Sequence, residues 1–427
     1  MPDWSKSMQQ SFEYYIVNPD TWKDMTLLTT VKSCTITRNA DADTLGSATI
    51  DIVDPVGECY IRVYLITIQN GIREKHPLGT FLVQTPSSSY DGKTRNVSMD
   101  AYTPLIELKE KQPPLGYYEP KTVYYKVEYN GSEYTETQET LNPVNGQIVE
   151  GVKTSNGKQV YSGTTTGGDD IYYCLSENVM SLAYRLVREN VRAPVVCTDC
   201  SSTLDYDFVA DTDDTWFSFL NDLVANSNYE FALDELSQIL FAPVVNTNAM
   251  QATWTYSDDN SSILYPDLTT NHDLSMIPNV VQVLYSTTDG VFYVAVKNED
   301  INSPTSVQNR GREIVYRVTD PNVVGKPTDP QTKSQIVDLA KRLLKELSSV
   351  EYTASYSHGY CPVRLNDCVR LNYTRAGLKN IKARVVSQTI KCDTGCKVTE
   401  KAAYSSNNIT AIKVYDASDQ LLEEYND

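Results

Sequence analysis

Apolar and polar residues alternate through much of the first hundred positions. Residues 31–37, 48–52, 60–68, 78–83 and 95–100 each put every second side chain on one face. A period of two is the mark of a strand with one buried face. Turn sequences at Asp54-Pro55, Asn70-Gly71 and Asp91-Gly92 lie between these runs. Five strands spaced this way predict an antiparallel barrel or sandwich. Thr103-Pro104 then reads as an N-cap with proline at the first helical position, opening a short helix to Lys111.

Pro113-Pro114 marks a boundary, and residues 119–168 are rich in Gly, Thr, Asn and Tyr. With turns at Asn130-Gly131 and Asn156-Gly157, this segment reads as a β-hairpin insertion ending in a flexible stretch at 162–168. A period of 3.6 follows. Leu175, Val179, Leu182 and Leu186 predict a helix over 171–190, and Trp216, Leu220 and Leu223 predict one over 214–226. Hairpins are expected around Asp234-Glu235 and Asp289-Gly290. A third helix is expected over 334–347 behind Asp329-Pro330, with Ile336, Leu339, Leu343 and Leu347 as its apolar stripe. Strands return at 349–357, 369–373, 382–391, 397–403 and 409–415, and the acidic last dozen residues read as mobile. The expected class is α+β, mainly β. In domains, this means a first β region over 1–111, a hairpin-rich insertion over 112–170 and an acidic α/β middle over 171–278. A second β region with its helix follows over 279–405, then an acidic tail over 406–427.

Charge sharpens this picture. The 427 residues carry a net charge of −18. Between Arg192 and Lys297 there are fifteen Asp and Glu and no Lys or Arg, whereas the rest of the chain is nearly balanced. A solvated acidic surface is the plain reading. A face that meets a basic partner or repels nucleic acid is the sharper one. Stable nucleic-acid binding is not expected, because phosphate contacts need clustered cations. No apolar run reaches the roughly 18 residues of a membrane-spanning helix, and the first ten residues lack a signal-peptide core, so membrane insertion is not expected either. Nine cysteines read as reduced cytoplasmic thiols, and thirty tyrosines suit strands and contact surfaces.

Little in the chain points to catalysis. His76, His272 and His358 have no paired spacing, and His76 reads as a loop histidine rather than a base. Asp169-Asp170 and Asp258-Asp259 read as caps in polar loops. Cys197, Cys200, Cys392 and Cys396 form two close pairs that could hold zinc, but their separation favours free thiols. The run from Asp211 to Thr215 lacks the glycine and terminal Glu of a calcium loop and reads as helix capping. No catalytic, cofactor or metal site is expected.

Three stretches together resemble the baseplate hub, or tail-tip, proteins of bacteriophages and related contractile injection machines. One is His76-Pro-Leu-Gly-Thr-Phe-Leu-Val83, with the strand ending Met99-Asp-Ala-Tyr102 and the turn into Pro104. Another is Asp213-Asp-Thr-Trp-Phe-Ser-Phe-Leu220 through Phe241-Ala-Pro243. The third is the helix before Leu347 followed by Pro362-Val-Arg-Leu-Asn-Asp-Cys-Val-Arg-Leu371, where Asp367 sits at a tight turn. The resemblance covers residues 31–111 and 171–403; the insertion departs from it.

The resemblance implies a homotrimer in which each chain supplies two tube-like antiparallel β-barrels. Six barrels would match a hexameric tail tube above, while threefold symmetry is kept for a spike or fibre below. Expected partners are the tail tube or distal tail protein, the tape-measure protein, and a spike or tail fibre. DNA would pass through an acidic channel, and the protein would reside in the virion after synthesis in the host cytoplasm. Two other classes stand beside this one. A receptor-binding or adhesion module would use the Tyr-rich insertion, and a cell-wall hydrolase would depend on Asp258 or Asp259.

Overall fold

The computed structural model describes residues 2–426 except 54, 55, 91, 94, 199, 260–262, 273, 322, 324, 407 and 408. The protein is mainly β. It divides into one compact unit of residues 1–249, 359–361 and 387–398, and a second of residues 250–358, 362–386 and 399–427.

The first unit rests on the alternating N-terminal sequence. Its main sheet contains β1 (Gln9–Val17), β2 (Asp24–Leu28), β3 (Val31–Asn39), β4 (Gly46–Ile52), β5 (Tyr60–Gln69), β6 (Ile72–Tyr90) and β7 (Arg95–Tyr102). Their spatial order is β3-β4-β7-β6-β5-β1-β2, with residues 387–391 paired on the free side of β3. All five expected strands form. The unexpected ones are β1 and the edge strand β2, where Met25 and Leu27 are exposed and leave no one-sided pattern to read. Asn70 and Gly71 join β5 to β6 with φ of 52° and 79°, the left-handed pair that a two-residue hairpin turn requires. The turns read at Asp54-Pro55 and at Asp91 lie outside the described residues. Thr103 is not an N-cap. The helix α1 is only Ile106–Lys109, while the Thr103 hydroxyl donates to the Thr44 carbonyl.

The insertion is a sheet of its own. After β8 (Tyr118–Glu119) come β9 (Tyr124–Tyr129), β10 (Tyr134–Leu141), β11 (Asn145–Lys153), β12 (Gln159–Thr164) and β13 (Asp170–Leu175), in the order β10-β9-β13-β12-β11. Two expectations fail here. Residues 162–164 continue β12 instead of forming a flexible stretch, and the helix expected from 171 begins only at 179. Residues 170–175 pair with both β9 and β12, so ladder hydrogen bonds and the burial of Tyr173 and Leu175 outweigh the weak helical stripe.

α2 (Val179–Asn190) starts where the Asn178 side chain accepts the Ser181 N–H at 2.7 Å. β14 (Phe208–Val209) pairs with β8. α3 (Trp216–Ala225) opens with a capping box between Thr215 and Ser218. The hairpin β15 (Tyr229–Leu233) and β16 (Ile239–Pro243) follows as expected. Leu182, Leu186, Phe219, Leu220, Leu223, Phe231 and Phe241 pack with Tyr60 and Leu82 into one core.

The second unit has two sheets. In chain order the elements that lie wholly or mostly in it are β17 (Trp254–Ser257), β18 (Leu264–His272), β19 (Val280–Thr287), β20 (Gly290–Asn298), α4 (Val307–Arg310), β21 (Val315–Thr319), α5 (Pro330–Leu347), β22 (Val350–Gly359), β23 (Cys368–Asn372), β24 (Ile381–Lys391, whose residues 387–391 belong to the first unit), β25 (Lys397–Ser406), β26 (Ala411–Tyr415) and β27 (Leu421–Asn426). One sheet runs β18-β22-β25-β24, with β23 also on β24 and β17 parallel to β23. The other runs β21-β19-β20-β26-β27. On this second sheet lies α5, through Ile336, Ala340 and Leu344 against Val281, Val283, Val294 and Val414. The stripe read at Leu339, Leu343 and Leu347 is therefore rotated. Leu343 lies at the flank of the core and Leu347 is exposed, because alanine 340 lets the sheet approach the 336/340/344 row. The helix also starts four residues earlier than expected, with Pro330 in its first turn. The acidic tail is not mobile over 421–426, where it forms β27 paired with β26. Among the described residues, the strand orders are open paths with no ring-closing pair.

Candidate functional site

The motif His76 to Val83 acquires a physical role in the first unit. Pro77 pairs with Tyr64 and Gly79 with Val63, so Leu78 is an extra residue that kinks β6. Gly79 has φ of 151°, and a Cβ there would lie 2.6 Å from the Phe81 ring. Glycine is thus required for Phe81 to fold back over the bulge. The next residue, Thr80, docks the turn of the β15–β16 hairpin. Its N–H donates to Ser237 Oγ at 2.7 Å, and its hydroxyl donates to the Leu236 carbonyl at 2.9 Å. Trp22 Nε1 donates to the same carbonyl at 3.0 Å. Arg62, 3% exposed, completes the node: its Nε donates to Thr80 Oγ1 at 2.8 Å, and its terminal nitrogens reach the Trp22 carbonyl and Asp24. A buried guanidinium is stable only with its donors met, and here they lock three distant segments together. His76 lies in β6 rather than a loop, 3.0 Å from the Thr67 hydroxyl and against the Trp4 edge. Its burial holds the imidazole pKa below the ordinary value.

The other two histidines also serve packing. His272 stacks obliquely with Tyr352. His358 is sealed among Tyr256 at 3.0 Å, Glu400 at 3.4 Å and Tyr356, whose hydroxyl donates to Glu400. All four are buried in the second unit. A buried imidazole–carboxylate pair with phenol donors fixes how these strands pack.

Much of the acidic stretch is tied to turns. Asp214 accepts from Ser218 and from the Asp211 N–H at the start of α3. Asp234 accepts from the N–H groups of Leu236 and Gln238, fixing the hairpin turn that Thr80 receives. Asp258 accepts from the Arg375 N–H and the Thr374 hydroxyl, and these bonds hold its carboxyl below the usual range. Asp367 accepts the Arg364 N–H at 2.9 Å, closing the turn where the sequence places it. Phe208, Val209, Asp211, Asp214, Phe219 and Asp222 line a cavity of about 350 Å³ beside α3.

The cysteine pairs do not converge. Cys197 is exposed, Cys200 bonds to Ser202, and Cys392 and Cys396 are buried with Cys34. Among the described residues, no group of three metal-ligand side chains is placed to hold an ion.

No family model matches the sequence, and no curated protein matches it. Solved structures do. A tail protein from Neisseria meningitidis superposes with a TM-score of 0.52 at 9% identity, covering 94% of this chain and 98% of that one. The 43 kDa tail protein of prophage MuSo2 from Shewanella oneidensis gives 0.51 at 11% identity, covering 92% and 98%. The chain shares the fold of these two tail proteins.

Two features of this tail-protein fold escaped the sequence reading. Arg62 is the lone cation in the apolar run Tyr60 to Ile68, which is itself a signal of a paired buried charge. Glu400 likewise falls on the inward parity of β25, between Val398 and Ala402.

Proposed function

We propose that the protein is the structural hub of a phage or phage-like tail tip, with no catalytic activity of its own. The observation that carries this reading is similarity across nearly the whole length of two tail proteins, which covers 94% and 92% of this chain. In the hub, three chains form a ring. The sheet of β3 to β7 and the sheet of β22 to β25 act as the two tube-like domains, six per trimer, and adapt a hexameric tail tube to a threefold spike or fibre. The acidic α/β middle faces a channel through which DNA and the tape-measure protein pass, and the net charge of −18 per chain keeps DNA from sticking. Residues 119–168 stand outside this body, and the assembled protein resides in the virion tail. Support for a non-enzymatic role comes from the histidines and the acid Asp258, which are engaged in packing and turn closure. Sedimentation of the purified chain with electron microscopy tests the reading: a threefold ring is expected, and a stable 47.9 kDa monomer that never joins tail tube would refute it.

A receptor-contact role for the insertion is the second reading, favoured by the exposed Tyr129 and Tyr172 on its sheet. Particles lacking the insertion would then assemble and fail to attach to cells.

A further inference from the structure

Cys34 and the close pair Cys392 and Cys396, far from it in sequence, come together beside β3. Cys34 lies within β3, Cys392 directly follows β24, and Cys396 ends the turn after it. Residues 387–391 pair antiparallel with β3 up to Lys391 opposite Thr35, and the Cys392 N–H then donates to the Cys34 carbonyl at 2.9 Å. The two cysteines are therefore directly opposed across the ladder. Opposed residues that exchange ladder bonds have Cα atoms about 5.5 Å apart. Disulfides span roughly 4.4–6.8 Å between Cα atoms. Directly opposed ladder positions thus fall within the span of a disulfide. Cys396 is completely buried, on a turn with left-handed backbone (φ 38°), and is held in place by its N–H bond to Asp393.

We infer that Cys34 and Cys392 are a latent cross-strand disulfide, closed by a small peroxide oxidant, that fastens the returning C-terminal segment to the N-terminal sheet. Cys392, 8% exposed, is the most accessible of the three thiols. Its thiolate attacks one oxygen of hydrogen peroxide, the O–O bond breaks, and a sulfenic acid forms with loss of water. The Cys34 sulfur then attacks the sulfenic sulfur and expels a second water. Two thiols and one peroxide become one disulfide and two waters, so the atoms and the two electrons balance. The neighbouring Cys34 thiol, and then burial, push the Cys392 pKa well above its ordinary value, while Arg38 nearby opposes that rise. The pair therefore stays reduced during rapid synthesis in a reducing compartment and closes slowly under sustained oxidant. Nothing in this depends on the hub reading.

The test is peptide mapping of the full chain after hydrogen peroxide, alkylation in denaturant, and digestion without reductant. The expected result is a linked peptide pair containing Cys34 and Cys392, retained in Cys396→Ser and lost in Cys34→Ser. The oxidised chain should unfold about 4 °C or more higher than the reduced one, a shift abolished by dithiothreitol. Separately alkylated Cys34 and Cys392 after oxidation would overturn the inference, as would a link from Cys392 to Cys396. Should Cys34→Ser not fold, the wild-type map decides alone.

Discussion

Replacing Thr80 with valine should release the β15–β16 turn while keeping the shape of β6. The hydroxyl performs two tasks, donating to the Leu236 carbonyl and accepting from Arg62 Nε. Valine removes both. The Leu236 carbonyl keeps its bond from Trp22 Nε1, so that loss costs about 0.5–1.5 kcal/mol. Arg62 Nε is left unmet in a site where the residue is 3% exposed, which costs about 1.5–3 kcal/mol. Opening of the turn should therefore become easier by about 2–4.5 kcal/mol, or roughly 30- to 2,000-fold in exchange rate. A chain of two units need not unfold in one step, so a local probe is preferable to a global midpoint. Hydrogen exchange at the Leu236 and Gln238 amides, both bonded to Asp234, supplies it. Acceleration below about threefold at these amides would refute the claim that Thr80 holds the turn.

Other perturbations have defined outcomes. Leu344→Asp places a charge in the fully buried row of α5 and should destabilise its sheet by about 3–5 kcal/mol in urea, whereas Leu343→Asp at the flank should cost clearly less. Equal costs would contradict the observed helix rotation. Replacing residues 124–175 with a short linker should leave soluble, folded protein by circular dichroism, because the Ser176 N–H donates to the Val123 carbonyl at 2.7 Å and the two ends already meet. Cutting at 125–165 instead would strand β13 without its partners and should yield insoluble chain. The neutral form of His76 is favoured in the fold, since burial lowers its pKa from 6.5. Its contribution to stability is complete above about pH 6.5 and is lost as pH falls through the folded value. Thermal midpoints between pH 7.5 and 5 should fall more steeply for the wild type than for His76→Gln, and parallel curves would contradict this.

Strands with one covered face were plain in the sequence, because alternation records which side meets the core. Residues 48–52 and 280–285 show it directly, and the Asn70-Gly71 and Asp289-Gly290 turns punctuate them. The start of α3 was legible from the capping run that ends in Thr215, whereas Thr103 misled because its hydroxyl has another partner, and the cap at Asn178 went unread. For α5, the spacing of leucines alone pointed to the wrong row. A leucine stripe shows that a helix is amphipathic, but Ala340 decides which side a sheet can approach, and that depends on β19 and β20. Of the aspartates in the acidic stretch, Asp214 bonds locally before α3, while Asp258 accepts from Thr374 and Arg375 far along the chain. The Arg62 node was missed, since its partners lie 18, 38 and 40 residues away.

From the sequence alone came the mainly β class, the hairpin turns, the two central helices and an acidic middle, all set by short-range periodicity and local hydrogen bonding. Only the tertiary structure decided that residues 387–391 pair with β3, that 421–426 form a strand, and that 170–175 join a sheet instead of a helix. The reason is physical: a pattern of side chains states that a face must be covered, while the partner that covers it is chosen by ladder bonds and packing that close over hundreds of residues.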